Sequence, residues 1–150
     1  MSVATVTGNV SPYPRVRVLV ADDHEVMRMG IRNLLQLQPG WSVCAEASNG
    51  QEAVEKALRF HPDVIIMDIT MPLMNGLEAA QEISRAEPQI PVILFSLHIS
   101  EDICRHLQTG GIRGAVAKTD AARDLAQAVE TVLAGGTFFP DRKSAPAANQ

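Results

Sequence analysis

Two short apolar runs, "DVIIMD" at 63–68 and "PVILFS" at 91–96, constrain what this chain can fold into more than any other feature. Each carries consecutive large apolar residues and then stops at a polar one, Asp68 or Ser96. A strand with one wet face alternates apolar and polar residues, whereas a strand covered on both faces is apolar throughout. The two runs therefore read as central strands of a parallel sheet. Three further candidates, "VRVLVA" (16–21), "WSVCAEA" (41–47) and "IRGAVA" (112–117), bring the set to five.

Helical spacing fills the intervals. Met27, Ile31, Leu34 and Leu35 share one helix face, Ala53, Val54, Ala57 and Leu58 a second, and Leu125, Ala128, Val129, Val132 and Leu133 a third. Asn49, followed three residues later by Glu52, predicts a cap-and-return start for the second of these. Gly135 and Gly136 end the last. The weakest helical signal lies at 101–109. Strict alternation of strand and helix predicts an α/β fold with helices on both faces of the sheet, because parallel strands need right-handed crossovers.

At 150 residues the chain is the size of one domain. Residues 1–14 read as a flexible N-terminal arm, 15–138 as the domain, and 139–150 as a flexible tail or the start of a linker. Hydrophobic residues make up 46% and charged residues 20%, with a net charge of −4 and no block of like charge, which argues against direct nucleic-acid or membrane contact. No apolar run approaches a membrane span, and no leader pattern is visible, so a cytoplasmic location is expected. Cys44 and Cys104 form no CxxC pattern and read as free buried thiols. Met27, Met29, Met67, Met71 and Met74 read as core and loop packing.

In open parallel sheets the active crevice lies beyond the carboxyl ends of the strands. The first strand ends in Asp22 and Asp23, the third in Asp68, the fourth in Ser96 and the fifth in Lys118. If these strands are neighbours, three carboxylates, a hydroxyl and an ammonium converge on one rim. Crowded carboxylates repel unless a cation neutralises them. The donors on offer are oxygens, which selects a hard ion: Mg²⁺ first, Mn²⁺ as the alternative, with water and a loop carbonyl after Asp68 completing the shell. A carboxylate between a divalent cation and a lysine is a nucleophile arranged for phosphoryl transfer, with an aspartyl phosphate as product.

The stretches "VLVADDH", "DVIIMDITMPLMNG", "VILFS" and "GAVAK" resemble the receiver domains of bacterial two-component response regulators over residues 15–138. "ADDHEVMRMGIRNLL" and "AGGTFF" resemble receivers that carry a LuxR-type helix-turn-helix output domain, which is not expected within these residues. The resemblance implies a doubly wound (βα)5, flavodoxin-like fold with strand order 2-1-3-4-5. It implies Asp68 as phosphoacceptor, Asp23 as direct metal ligand, Asp22 acting through a metal-bound water, and Thr70 supplying a backbone carbonyl. Ser96 becomes the switch hydroxyl and Lys118 the phosphate contact. It also implies a sensor histidine kinase or phosphotransfer protein as partner, homodimerisation through 100–135, and no enzymatic turnover beyond the domain's own phosphorylation and dephosphorylation.

Two positions depart from the family pattern. Ala115 stands where an aromatic switch residue is common, so the signal is expected to pass through the 97–111 segment. Thr119 follows the lysine where many receivers have proline, and reads as a helix N-cap. Pro72 fixes one backbone dihedral of the loop after Asp68, and Gly76 is read as supplying a conformation closed to other residues. His24 and His98 read as surface residues near the rim. Two other classes compete with a phosphorylated receiver: an interaction module that signals without phosphate, and a haloacid-dehalogenase-like phosphohydrolase, whose DxD motif would end the first strand.

Overall fold

The computed structural model describes residues 15–99 and 111–139, so the arm expected at 1–14, the helix expected at 101–109, Cys104 and residues 140–150 lie outside the described residues. All five expected strands form: β1 (Val16–Ala21), β2 (Trp41–Ala47), β3 (Val64–Asp68), β4 (Val92–Ser96) and β5 (Ile112–Ala117). They pair in parallel in the order β2-β1-β3-β4-β5. The described helices are α1 (Glu25–Gln36), α2 (Gly50–Phe60), α3 (Gly76–Ala86) and α4 (Ala121–Leu133). None of them is long and apolar enough to cross a membrane.

Side chains alternate between the two faces of the sheet. Leu19, Ile65, Met67 and Leu94 pack with Ala53 and Ala57 of α2 and Ala79, Ala80 and Ile83 of α3. Val18, Val20, Ile66, Ile93 and Phe95 pack on the other face with Ile31 and Leu35 of α1 and Leu125, Ala128 and Val129 of α4. Each large side chain so buried contributes about 1.5–3 kcal/mol. The helical stripes are narrower than their periodicity suggests, because the flanking Leu58 and Leu133 reach solvent, and Met29, read as packing, is exposed on α1. Cys44 is half-buried and free.

Helix starts differ from expectation in instructive ways. Asn49 Oδ1 does accept from the Glu52 N–H at 2.8 Å, but the Glu52 carboxylate returns to the Ser48 N–H at 2.7 Å instead of the Asn49 N–H. The reciprocal box occurs at α3, where Asn75 accepts from the Glu78 N–H at 2.9 Å and donates its own N–H to Glu78 at 3.0 Å. Thr119 does not cap α4. It lies inside a 3-10 turn, Lys118–Asp120, whose Lys118 carbonyl takes the Ala121 N–H, so backbone alone satisfies this donor.

Residues after α4 return to the sheet. The Phe138 N–H donates to the Arg113 carbonyl at 2.9 Å, and the Phe138 carbonyl accepts from the Ala115 N–H at 2.8 Å, forming a parallel bridge on the outer edge of β5. Phe138 packs on the α1 and α4 face and Phe139 on the α2 and α3 face. Phe139, which the sequence places at the start of the tail, is thus buried.

Candidate functional site

The site begins where β1 and β3, adjacent in the sheet, both end in acids. The Asp22 N–H bonds to the Ala47 carbonyl at 2.9 Å, extending the β1–β2 ladder by one residue. Asp22 Oδ1 then accepts the His24 N–H at 2.8 Å, which turns the chain into α1. Asp22 is fully buried and Asp68 nearly so. Lys118, delivered by the end of β5, crosses β4 to reach both: its Nζ lies 2.9 Å from Asp22 Oδ2 and 3.3 Å from Asp68 Oδ2. Its ammonium also sits 5.8 Å from the centre of the Phe95 ring.

Asp23 has a partly exposed side chain. One ligand atom each from Asp22, Asp23, His24 and Asp68 fall within 4.8 Å of one another. Ser96 ends β4 one residue beyond Phe95, the register neighbour of Asp68, and lies beside Ala117 of β5. It therefore stands on the same rim, between the strand ends that carry Asp68 and Lys118. Thr70 is exposed and its N–H donates to Asp68 Oδ1 at 3.3 Å. The candidates drawn from the strand ends thus come together, and His98 is exposed as expected. His24, although exposed, holds its Nδ1 3.2 Å from a carboxylate oxygen of both Asp22 and Asp23.

The loop after Asp68 is bent sharply. The Met74 N–H bonds to the Pro72 carbonyl at 2.7 Å, a three-residue turn centred on Leu73 with φ +69°. Such a turn is strained for a residue with a side chain. Leu73, not Gly76, thus holds the unusual backbone. Gly76 is required for space: a Cβ there would lie 2.1 Å from the Asp68 carbonyl oxygen.

Burial raises the pKa of Asp68, and the neighbouring Asp22 carboxylate raises it further, against the opposing pull of Lys118. Burial alone would lower that of Lys118, but its bonds to Asp22 and its proximity to Asp68 more than offset this, so the ammonium persists. One ammonium does not balance the acids here. Asp22 Oδ2 is buried with the Lys118 ammonium 2.9 Å away. Three carboxylates gathered at one point and faced by a single ammonium fit a hard divalent cation.

A family model described as the response regulator receiver domain matches residues 18–130. The chain belongs to that family. Among curated relatives, the transcriptional regulatory protein DegU of Brevibacillus brevis is 34% identical over 83% of this chain and 53% of its own length. The response regulator protein VraR of Staphylococcus aureus is 36% identical over 83% of this chain and 59% of its own. The receiver thus spans little more than half the length of these relatives. Among solved structures, a LuxR-family two-component response regulator from Aurantimonas sp. superposes with a TM-score of 0.83 at 31% identity, covering 89% of this chain and 96% of that one.

One feature escaped the sequence. Arg28 Nε pairs with Glu46 Oε1 at 2.9 Å while its Nη1 donates to the Asp22 carbonyl at 2.7 Å. The available signal was Glu46 itself, a charge inside the strand "WSVCAEA" that needs a partner.

Proposed function

We propose that this receiver accepts a phosphoryl group on Asp68 from a histidine kinase or phosphotransfer protein, with Mg²⁺ as cofactor. The observation that carries the proposal is Lys118 bridging Asp22 and Asp68 at 2.9 and 3.3 Å beside a third acid. Asp23, Asp68 and the Thr70 carbonyl would hold the ion directly, and Asp22, already engaged by Lys118 and the His24 N–H, would act through a water. Bound there, the ion neutralises charge on the transferring phosphoryl oxygens. Mn²⁺ offers the same oxygen chemistry.

The chain's own residues set up the transfer. Lys118 fixes Asp68 by one carboxylate oxygen, and the Thr70 N–H takes the other. An Asp68 oxygen forms the new P–O bond as the donor's P–N bond breaks and the imidazole departs. Lys118 then passes to a phosphoryl oxygen through a charge-assisted bond, and the Ser96 hydroxyl donates to another. The reaction stops at one phosphoryl group per chain, so the domain is a signalling element and no multiple-turnover enzyme. It works in the cytoplasm.

The output is a change of partner or dimer contacts through residues 100–135, of which 100–110 lie outside the described residues. Phosphorylation feeds into the control of transcription, in keeping with the names of its relatives. Ala115 is fully buried, so no aromatic reports the movement of Ser96. The 97–111 segment carries the change instead; its residues 100–110 lie outside the described residues.

The test is incubation with acetyl phosphate and Mg²⁺, alongside a chromogenic phosphomonoester. The expected result is stoichiometric, acid-stable and alkali-labile labelling that Asp68→Asn abolishes, with no turnover of the monoester. Sustained turnover would support the phosphohydrolase reading instead. An Asp68→Asn chain that signals normally in vivo would support the phosphate-independent module.

A further inference from the structure

Arg28 lies on α1, one turn past the acid pair, with its side chain largely buried. Its two contacts join the Glu46 side chain to the backbone of the acid pair. The Nε pairs with Glu46 on β2 at 2.9 Å, and Nη1 donates to the main-chain carbonyl of Asp22 at 2.7 Å. That carbonyl shares one rigid peptide plane with the Asp23 N–H. The plane therefore sets how the chain leaves Asp22 and where Asp23 is aimed.

The brace is anchored at its far end. Glu46 is the register partner of Val20 in β1, its other carboxylate oxygen is held by Arg32, and its main-chain carbonyl accepts from Lys56 Nζ at 2.6 Å. The Asp22 N–H is itself tied to the Ala47 carbonyl at 2.9 Å. With Arg28 in place, the backbone around the acid pair is fixed on both sides of Asp22. A guanidinium suits this because its planar fork holds donors on separate nitrogens in fixed positions, whereas an ammonium offers rotatable donors from a single nitrogen.

We propose that Arg28 is a positioning residue for the acidic centre: by holding the Asp22–Asp23 peptide plane against Glu46, it presets the Asp23 carboxylate for a divalent cation. The proposal rests on the metal reading above. It separates Arg28 from Arg32, which shares the Glu46 ion pair and lies one turn further from the acids. Groups that orient metal ligands typically change metal affinity by about 10–100-fold when removed.

The experiment titrates Mg²⁺ into the full 150-residue chain by calorimetry, with the fold of each variant checked by circular dichroism and thermal melting. Arg28→Met keeps the apolar stem and removes the donors; Mg²⁺ affinity is expected to fall about tenfold. Arg28→Lys keeps the charge and supplies donors from a single nitrogen in place of the fork, and recovers part of the loss. Arg32→Ala breaks the other half of the same ion pair and leaves affinity within about twofold of wild type, well short of the loss expected on removing an orienting group. Should Arg28→Met fail to fold, Arg28→Lys decides: weakened binding supports the proposal and wild-type affinity overturns it. Unchanged affinity in Arg28→Met, or an equal loss in Arg32→Ala, overturns it as well. A wild-type chain that takes up no Mg²⁺ overturns the metal reading itself, a result distinct from a metal-binding wild type that Arg28→Met leaves intact.

Discussion

Single residues in this receiver carry charges that the fold tolerates only in company. Asp22 is fully buried and Asp68 nearly so, and Lys118 is the cation that reaches both. Removing one partner of a buried ion pair leaves the other uncompensated, at a cost of about 3–5 kcal/mol. Lys118→Met is expected to lower stability by about 3 kcal/mol in chemical denaturation without divalent ions, and added Mg²⁺ to recover part of it. A gentler case is Glu52, whose pKa is lowered chiefly by the hydrogen bond from the Ser48 N–H. Because the folded value lies below the unfolded one, Glu52 contributes stability at neutral pH and loses it as pH falls through the folded value. Thermal midpoints of Glu52→Gln should therefore lie below wild type near neutrality and converge with it in acid.

At the scale of elements, the helix starts decide where the site's backbone can go. Gly76 opens α3 directly behind Asp68, and a Cβ there would lie 2.1 Å from the Asp68 carbonyl oxygen. That atom is backbone and cannot step aside, so Gly76→Ala is expected to cost about 1–3 kcal/mol and to displace the phosphorylation loop. Gly30 gives the opposite result. It sits mid-helix in α1, with open space where its Cβ would be and no left-handed backbone to preserve, so Gly30→Ala should raise stability by about 0.5–1 kcal/mol in denaturant titrations. The periodicity of α1 hides this difference, since a glycine on an exposed face and a glycine against a carbonyl read alike in sequence.

For the whole molecule, the strands were legible because covered parallel strands are short, apolar and punctuated, and the acids that end "VLVADD" and "DVIIMD" stand out against them. Asp22, Asp68 and Lys118 could be assigned to one rim from sequence because strand ends share one side of a parallel sheet. What stayed hidden depends on contacts between distant segments. Arg28 finds Glu46 across 18 positions, and Phe138 finds β5 through a single bridge that leaves no periodic trace. "AGGTFF" read as a mark of subfamily, yet its phenylalanines close both faces of the core at the β5 edge. Phe138→Ala should therefore destabilise the whole domain by about 3 kcal/mol in denaturant, with a cooperative loss of the sheet.

All of these effects converge on whether Asp68 is the acid that takes the phosphoryl group. Borohydride reduction of the chain after treatment with acetyl phosphate converts an acyl phosphate to a homoserine, which peptide mass spectrometry locates. Homoserine at position 68, formed only with phosphodonor and Mg²⁺ present, is the predicted result. Homoserine at position 22 or 23, or none under conditions that phosphorylate a control receiver, would contradict the account.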